Sequence, residues 1–398
     1  MPLEKTSDGA SEAPATLDAG SSGKHPALRS TVEHLPAYSA GRSARDARGQ
    51  RRWSGPIAAL AANEGPYGPY PNVVSALQLH APTVNRYPES GFVTLRERLS
   101  RHLALPLERI AVAAGGVAII HHLSLAVLEP EDEILLSSPT FHAYELEARK
   151  AGARTVCVAV TADGAYDLPA LRARISPRTR LIYVCNPNNP TGGIVRRAQL
   201  LEFVQSVPSS VAMLIDEAYF EYVEDADYPD TVRDAAFHLP NLLTLRTFSK
   251  AYGLAGLRVA YAAGAPRLVA ALGKIQSNYE VTTLSQVAAM ASLENPMELE
   301  RRRALNRAGR ARLVAGLRAL GFAPLPSQAN FVCVRVGAAR AFAAALEARG
   351  VIVRPLDAMG DPASIRITVG TAAEIEQALE ALAAIAPHGP SKDERRSS

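Results

Sequence analysis

Three stretches decide the fold: RLIYVCNPNNPTGG (180–193), VAMLIDEAY (211–219) and NLLTLRTFSK (241–250). Each is a short apolar run that ends abruptly in polar residues. Runs of four to eight apolar residues bounded by turn formers read as strands buried on both faces. Asn186, Asn188 and Asn189 follow the first run, Asp216 and Glu217 the second, Ser249 and Lys250 the third. The separations from Asn189 to Asp216 and from Asp216 to Lys250 are each close to one strand–crossover–strand repeat. Ligands bind outside the carboxyl ends of the strands in such sheets, so these side chains are expected along one crevice.

The flanking text extends the pattern. ERIAVAAGG (108–116) ends a strand at a glycine turn, and VAIIHHLSLAVL (117–128) reads as a helix. DEILLSSPT (132–140) and ARTVCVAV (153–160) are strands around the helix HAYELEARKAG (142–152), which a glycine closes; LPALRARI (168–175) is the next helix. This alternation predicts an α/β fold, a mostly parallel doubly wound sheet in a large domain. Beyond Leu284 the style changes. A long Arg/Ala/Leu-rich helical region runs to about Leu320, followed by the strand ANFVCVRV (329–336) and the helix RAFAAALEARG (340–350). The strands VIVRPL (351–356) and SIRITVGT (364–371) and a terminal helix complete a smaller α+β domain. The expected organisation is a disordered tail over 1–52, a lid and part of the small domain over 53–80, and the large domain over 81–279. The small domain follows over 280–386, and a second disordered tail over 387–398.

Composition narrows the class. With 398 residues, 47% of them hydrophobic, the chain is long enough for real cores. The formal charge of +4 owes part of its excess to Arg42, Arg45, Arg48, Arg51 and Arg52, which read as a solvated tail rather than a nucleic-acid surface. Cys157, Cys185 and Cys333 are too few and too scattered for a disulfide framework or a metal cluster, and their apolar settings suggest buried thiols. No apolar stretch approaches the roughly 20 residues of a membrane span. The expectation is a soluble cytoplasmic protein with no metal, membrane or nucleic-acid partner.

Lys250 stands out in a chain that prefers Arg, since it lies among Phe248, Ala251, Tyr252 and Gly253 with Arg258 close by. Apolar and cationic surroundings lower an ammonium pKa, as a Schiff-base lysine requires. The Gly115–Gly116 turn before a helix offers free backbone N–H groups and a positive dipole end to an anion. With Ser249 and Arg258 it makes a cradle for one phosphate group, and no nucleotide-binding glycine motif is present.

At this point the text resembles the fold-type I aminotransferases that use pyridoxal phosphate, within the histidinol-phosphate aminotransferase group. The matching segments are ANEGPYGP (62–69), NRYP (85–88), CNPNNPTG (185–192), DEAYFEY (216–222), RTFSKAYGLAGLR (246–258), PSQANFV (326–332) and RITVGT (366–371). The resemblance covers about residues 55 to 385 in the family's order. It implies that Lys250 forms the Schiff base with the cofactor and later moves a proton from the substrate Cα. It implies that Asp216 pairs with the pyridine nitrogen, that Asn189 and Tyr219 reach the phenolic oxygen, and that Phe141 stacks on the ring. Ser249, Arg258, Gly115 and Gly116, with Thr247 beside them, would hold the phosphate. Tyr87 would reach it from a partner subunit, which implies a homodimer with shared active sites. Arg366 would clamp the substrate α-carboxylate, with Asn189, Asn63 and Arg354 also facing substrate.

Two departures bear on the substrate. Val117 stands where histidinol-phosphate enzymes usually carry an acidic residue, and Gly65 where they commonly carry Asn. NRYPESG, GGVAII and PSQANF look closer to the aromatic amino acid aminotransferase branch. The leading expectation is therefore transfer of an amino group between an aromatic L-amino acid and 2-oxoglutarate. Histidinol-phosphate transamination, a related decarboxylation and a secondary-metabolite transaminase stay open as alternatives. A cofactor-sensing regulator would need a DNA-binding helix-turn-helix in residues 1–52, where no such pattern occurs.

Overall fold

The computed structural model describes residues 28–33, 35 and 55–385. The strands in chain order are β1 (Ala58–Leu60), β2 (Ile110–Ala113), β3 (Glu133–Ser138), β4 (Arg154–Ala159), β5 (Thr179–Cys185) and β6 (Ala212–Asp216). They continue with β7 (Leu242–Thr247), β8 (Ala260–Gly264), β9 (Phe331–Arg335), β10 (Val351–Pro355) and β11 (Ser364–Thr368). Seven form one sheet in the order β2-β8-β7-β6-β5-β3-β4. Only β8, which pairs antiparallel with both β2 and β7, breaks the parallel arrangement. β5, β6 and β7 are neighbours, with Cys185 opposite Asp216 and Asp216 opposite Leu245. The expected alignment of strand ends is thus real, because parallel neighbours in register finish on one edge.

Two details differ from the sequence reading. The crossover from β6 to β7 contains only short 3₁₀ turns, Phe220–Tyr222 and Ala235–Phe237, in place of a helix. Cys157 is exposed rather than buried, because β4 is the edge strand of the sheet. β1 and β8 had no counterpart in the sequence reading; β8 is built largely of alanine, a weak strand former.

The four-stranded sheet has the order β1-β10-β11-β9, so the segment preceding the lid supplies one of its edges. The Arg-rich region is two helices, Thr283–Leu293 and Pro296–Ala319, and the second is capped by Asn295, whose side chain accepts from Glu298 N at 3.1 Å. Proline at the first helical position completes that start. Thr371 and Glu374 form a capping box on the terminal helix Ala372–Ala383. One apolar cluster joins Val73, Leu95, Leu99, Val112, Val281 and Ala288, so the packing runs without a break across residue 280. The stretch expected as an N-terminal tail includes a short described helix, Ser30–Glu33; Arg42, Arg45, Arg48, Arg51 and Arg52, and residues 387–398, lie outside the described residues.

Beneath the strand ends, Arg246 of β7 bridges to the chain leaving β6. Its Nη2 donates to Glu217 Oε2 and to Asp230 Oδ1, each at 2.7 Å, and Thr231 Oγ1 donates to Glu217 Oε1 at 2.7 Å. Glu217 is fully buried and Arg246 is 2% exposed. Breaking such a pair from one side strands the other charge. Arg246→Met should therefore destabilise the protein by about 3–5 kcal/mol in chemical denaturation; a loss below about 1 kcal/mol would show that the pair does not brace the strand ends.

Candidate active site

A cavity of about 400 Å³ opens at the carboxyl ends of β5, β6 and β7, roofed by β10 and β11 of the smaller sheet and by residues 61–64. Lys250 projects into it, half-buried, with its Nζ 5.8 Å from the Tyr219 ring centroid and 3.5 Å from Ala62 O. Burial, reinforced by the positive charges of Arg366 and Arg258, pushes the Lys250 amine down to about 8. Asp216 ends β6 at 5% exposure. Burial raises its pKa, while Tyr144 Oη, donating to Oδ2 at 2.7 Å, and Ala218 N, donating to Oδ1 at 3.0 Å, oppose the rise.

Arg366 of β11 sits opposite Arg354 of β10 in the antiparallel register, and both reach the cavity. Its Nη1 donates to Asn189 Oδ1 and its Nη2 to Ala61 O, each at 2.5 Å, while its buried Nε has no acceptor. Burial, with the charge of Arg354, brings Arg366 down to about 10. An orphaned guanidinium donor beside a second guanidinium is a costly arrangement that an anion relieves. Because the Asn189 oxygen faces Arg366, its amide nitrogen is left to donate elsewhere. Tyr219 Oη accepts from Asn63 Nδ2 at 2.9 Å, which likewise leaves its own proton available. Asn63 holds a left-handed φ of +53° and is fixed through Thr368 and Asn330. Its place is behind Tyr219.

At the other end, Gly116 opens the helix Gly116–Val127, and Gly116, Thr247, Ser249 and Arg258 line the wall. Gly115 does not line the cavity. Its φ is +90°, and a Cβ built on it would overlap the Arg258 guanidinium, so the glycine makes room for that side chain. Thr247 Oγ1 donates to Ser249 Oγ at 3.0 Å, leaving the serine proton to donate outward. Gly65 packs against Lys250, and a Cβ there would lie 3.1 Å from the Lys250 carbonyl oxygen, which accounts for a small residue in the lid.

The cavity thus gathers Lys250, Asp216, Gly116, Phe141, Asn189, Tyr219, Thr247, Ser249, Arg258, Arg366, Asn63 and Arg354, as the sequence reading expected. Tyr87 lies elsewhere: 82% exposed, its ring stacks on Tyr279 at 4.8 Å. Four functional positions went unread in the sequence. Tyr144 follows Phe141 by three residues, a helical spacing that signals a shared face. It stacks on Tyr183 at 4.6 Å, whose hydroxyl is 2.8 Å from Ser124 Oγ. His142, Glu64 and Met359 also line the cavity, and burial with Arg354 and Arg366 keeps His142 below its ordinary value. For these three no local signal existed.

A fold-type I transferase is what this sheet and this strand-end cluster define. Residues 56–382 match the family described as aminotransferase class I and II, and the chain belongs to it. Membership makes pyridoxal phosphate its cofactor, and the residues fit that group: a phosphate cradle at one end, a buried carboxylate and a low-pKa amine at the other. Among relatives, it is 42% identical to an aromatic amino acid aminotransferase of Streptomyces coelicolor, over 87% of this chain and 93% of that one. It is 39% identical to a histidinol-phosphate aminotransferase of Moorella thermoacetica, over 81% of this chain and 84% of that one. A crystal structure of histidinol-phosphate aminotransferase from Sinorhizobium meliloti in complex with pyridoxal-5′-phosphate superposes with a TM-score of 0.81 at 28% identity, covering 90% of this chain and 96% of that one.

Two outcomes test the electrostatics. Covalent capture of pyridoxal phosphate by the cofactor-free protein needs the neutral amine, so its rate should rise about tenfold per pH unit below the pKa and level off above about 8. An inflection near the ordinary lysine value of 10.5 would show that Lys250 is not shifted. Tyr144→Phe removes a hydrogen bond to the ionised form of Asp216, so cofactor affinity should fall about three- to thirtyfold. Protonation is promoted by that loss, so the deficit should widen as pH falls; binding titrations at several pH values measure it.

Proposed function

We propose that the protein moves an amino group between an aromatic L-amino acid and a 2-oxo acid such as 2-oxoglutarate, in two half-reactions sharing one cavity. The observation that carries this reading is Arg366, buried beside Arg354 with its Nε unpaired, in a cavity whose lining also includes the apolar side chains of Val117, Ile120, Phe141 and Met359. A carboxylate clamp in a cavity with apolar lining suits an aromatic amino acid. The name of the Streptomyces relative supports the same choice.

When bound, the cofactor supplies an electron sink for the carbanion at the substrate Cα. The phosphate would be held by Ser249 Oγ, the Arg258 guanidinium, Thr247 and the free N–H groups of Gly116 and Val117 at the helix start. Asp216 would keep the ring nitrogen protonated; Asn189 and Tyr219 would donate to the phenolic oxygen, and Phe141 would cover a ring face. Lys250 Nζ would take the proton from the substrate Cα and hold it for return later in the same half-reaction. An amine with a pKa near 8 is neutral in a useful fraction at neutral pH, which suits it to this work. Arg366 orients the α-carboxylate, and Arg354 receives the second carboxylate of the dicarboxylic partner. The lid segment over 62–69 and the smaller sheet close over the large cofactor-binding unit.

The exposed ring of Tyr87 suits a residue that completes the site of a second copy, and we assign the protein to a homodimer on that basis. Among the described residues no helix is long and apolar enough to cross a membrane. Three free cysteines accord with a reducing cytoplasm. Histidinol-phosphate transamination is the second reading, favoured by Arg354, which offers a phosphate a cation next to Arg366.

A survey of single-turnover rates decides between them. Phenylalanine and tyrosine should react at least about tenfold faster than histidinol phosphate, the reach of an apolar pocket; the reverse order would refute the aromatic assignment. Arg366→Ala should retain the cofactor and raise the amino acid KM by about 10²-fold, the cost of a lost charge-assisted pair. Lys250→Ala should lower turnover by about a thousandfold or more.

A further inference from the structure

The turn that opens toward the cofactor phosphate is tied down by a residue outside the cavity. Ala114 N donates to Glu280 Oε1 at 3.0 Å, and Gln276 Nε2 donates to the same oxygen at 2.8 Å. Glu280 Oε2 lies 3.4 Å from His122 Nε2. His122, 5% exposed, sits in the helix whose first residue is Gly116. Gln276 Nε2 also donates to Val112 O in β2 at 2.7 Å. The carboxylate therefore joins the turn's own backbone and the helix leaving it, and through Gln276 the strand entering it.

The charge is kept despite its surroundings. Burial opposes ionisation of Glu280, yet His122, Ala114 N and Gln276 together hold its carboxyl below the ordinary value. The residue before it, Tyr279, holds a left-handed φ of +62°, an unfavourable conformation for a tyrosine. Such strain persists only where the surroundings over-determine it. On the cavity side, Gly115 N is engaged by Ala113 O at 2.7 Å, and the N–H groups of Gly116 and Val117 begin the helix and have no helical acceptor. Where those two donors point depends on how the Ala114–Gly115 backbone is held.

We propose that Glu280 is the positioning residue of the phosphate-binding turn. Acting through Ala114 N–H and His122, it sets the direction of the Gly116 and Val117 N–H groups and so the affinity for the cofactor's phosphate, without touching the cofactor. The inference rests on the cofactor reading given above. It concerns only the phosphate end of that ligand, and this provides the test.

Dissociation constants for pyridoxal phosphate and for pyridoxal, which lacks the phosphate, are measured on the full chain and on Glu280→Ala and Glu280→Gln. Melting temperatures of the cofactor-free proteins accompany them. Glu280→Ala should weaken pyridoxal phosphate about tenfold or more while pyridoxal changes by less than about twofold. Glu280→Gln keeps an acceptor for Ala114 N–H and should recover most of the loss. Equal losses for both ligands, or unchanged pyridoxal phosphate affinity in Glu280→Ala, would overturn the proposal. If Glu280→Ala does not fold, His122→Gln, which removes the imidazole that Glu280 pairs with, must weaken pyridoxal phosphate more than pyridoxal, and parity there overturns it too. Failure of the unaltered chain to bind either ligand would instead refute the cofactor reading.

Discussion

Holding the Lys250 amine close to neutral in a cleft is the condition to which the rest of the structure answers. Desolvation alone disfavours the ammonium form, and Arg366 and Arg258 add like charge. Each arginine has a defined place. Arg366 is locked to Asn189 and Ala61, and Arg258 lies against Gly115, where only a glycine leaves space. The amine is thereby more often in its neutral, nucleophilic form, and on the function proposed above the same two arginines would serve a carboxylate and a phosphate.

That arrangement needs rigid support, and the parallel sheet supplies it. Asp216 and the segment bearing Lys250 leave adjacent strands on one edge, and the Glu217–Arg246–Asp230 network pins the same two strands just below. Tyr144 then fixes the Asp216 carboxylate from a helix on one face, itself stacked on Tyr183 of β5. A buried carboxylate without such donors would take up a proton and lose its use as a counter-charge. The aromatic column is therefore part of the electrostatics as well as of the packing.

The smaller sheet contributes the opposite wall. Its antiparallel register sets Arg354 and Arg366 side by side, and β1 brings the lid residues Ala61 to Glu64 against them. Two guanidinium groups facing one space favour dicarboxylic or phosphorylated ligands as much as monocarboxylic ones. On the function proposed above, the apolar lining, with Val117 in place of a charge, favours an aromatic side chain. Both sheets thus line the cavity, the smaller one with Arg354 and Arg366 and the larger one with Asp216 and the segment bearing Lys250.

Lys250, Asp216 and Asn189 were legible in the sequence because each follows a β-strand, and parallel strands a repeat apart must end on a common edge. The glycine turn at 115–116 was legible for a similar local reason, as a strand-to-helix junction. Arg366 and Arg354 were reached by resemblance, since nothing local distinguishes a clamp from a surface ion pair. What the sequence determined was the order of strands and the residues at their ends, because apolar periodicity and turn residues are local properties. Tertiary structure alone decided that β8 enters antiparallel and that Cys157 lies on an edge. It alone brought Tyr144 to Asp216, and Glu280 to a backbone N–H 166 residues away. Those contacts depend on how separate elements pack, and no spacing along the chain encodes that distance.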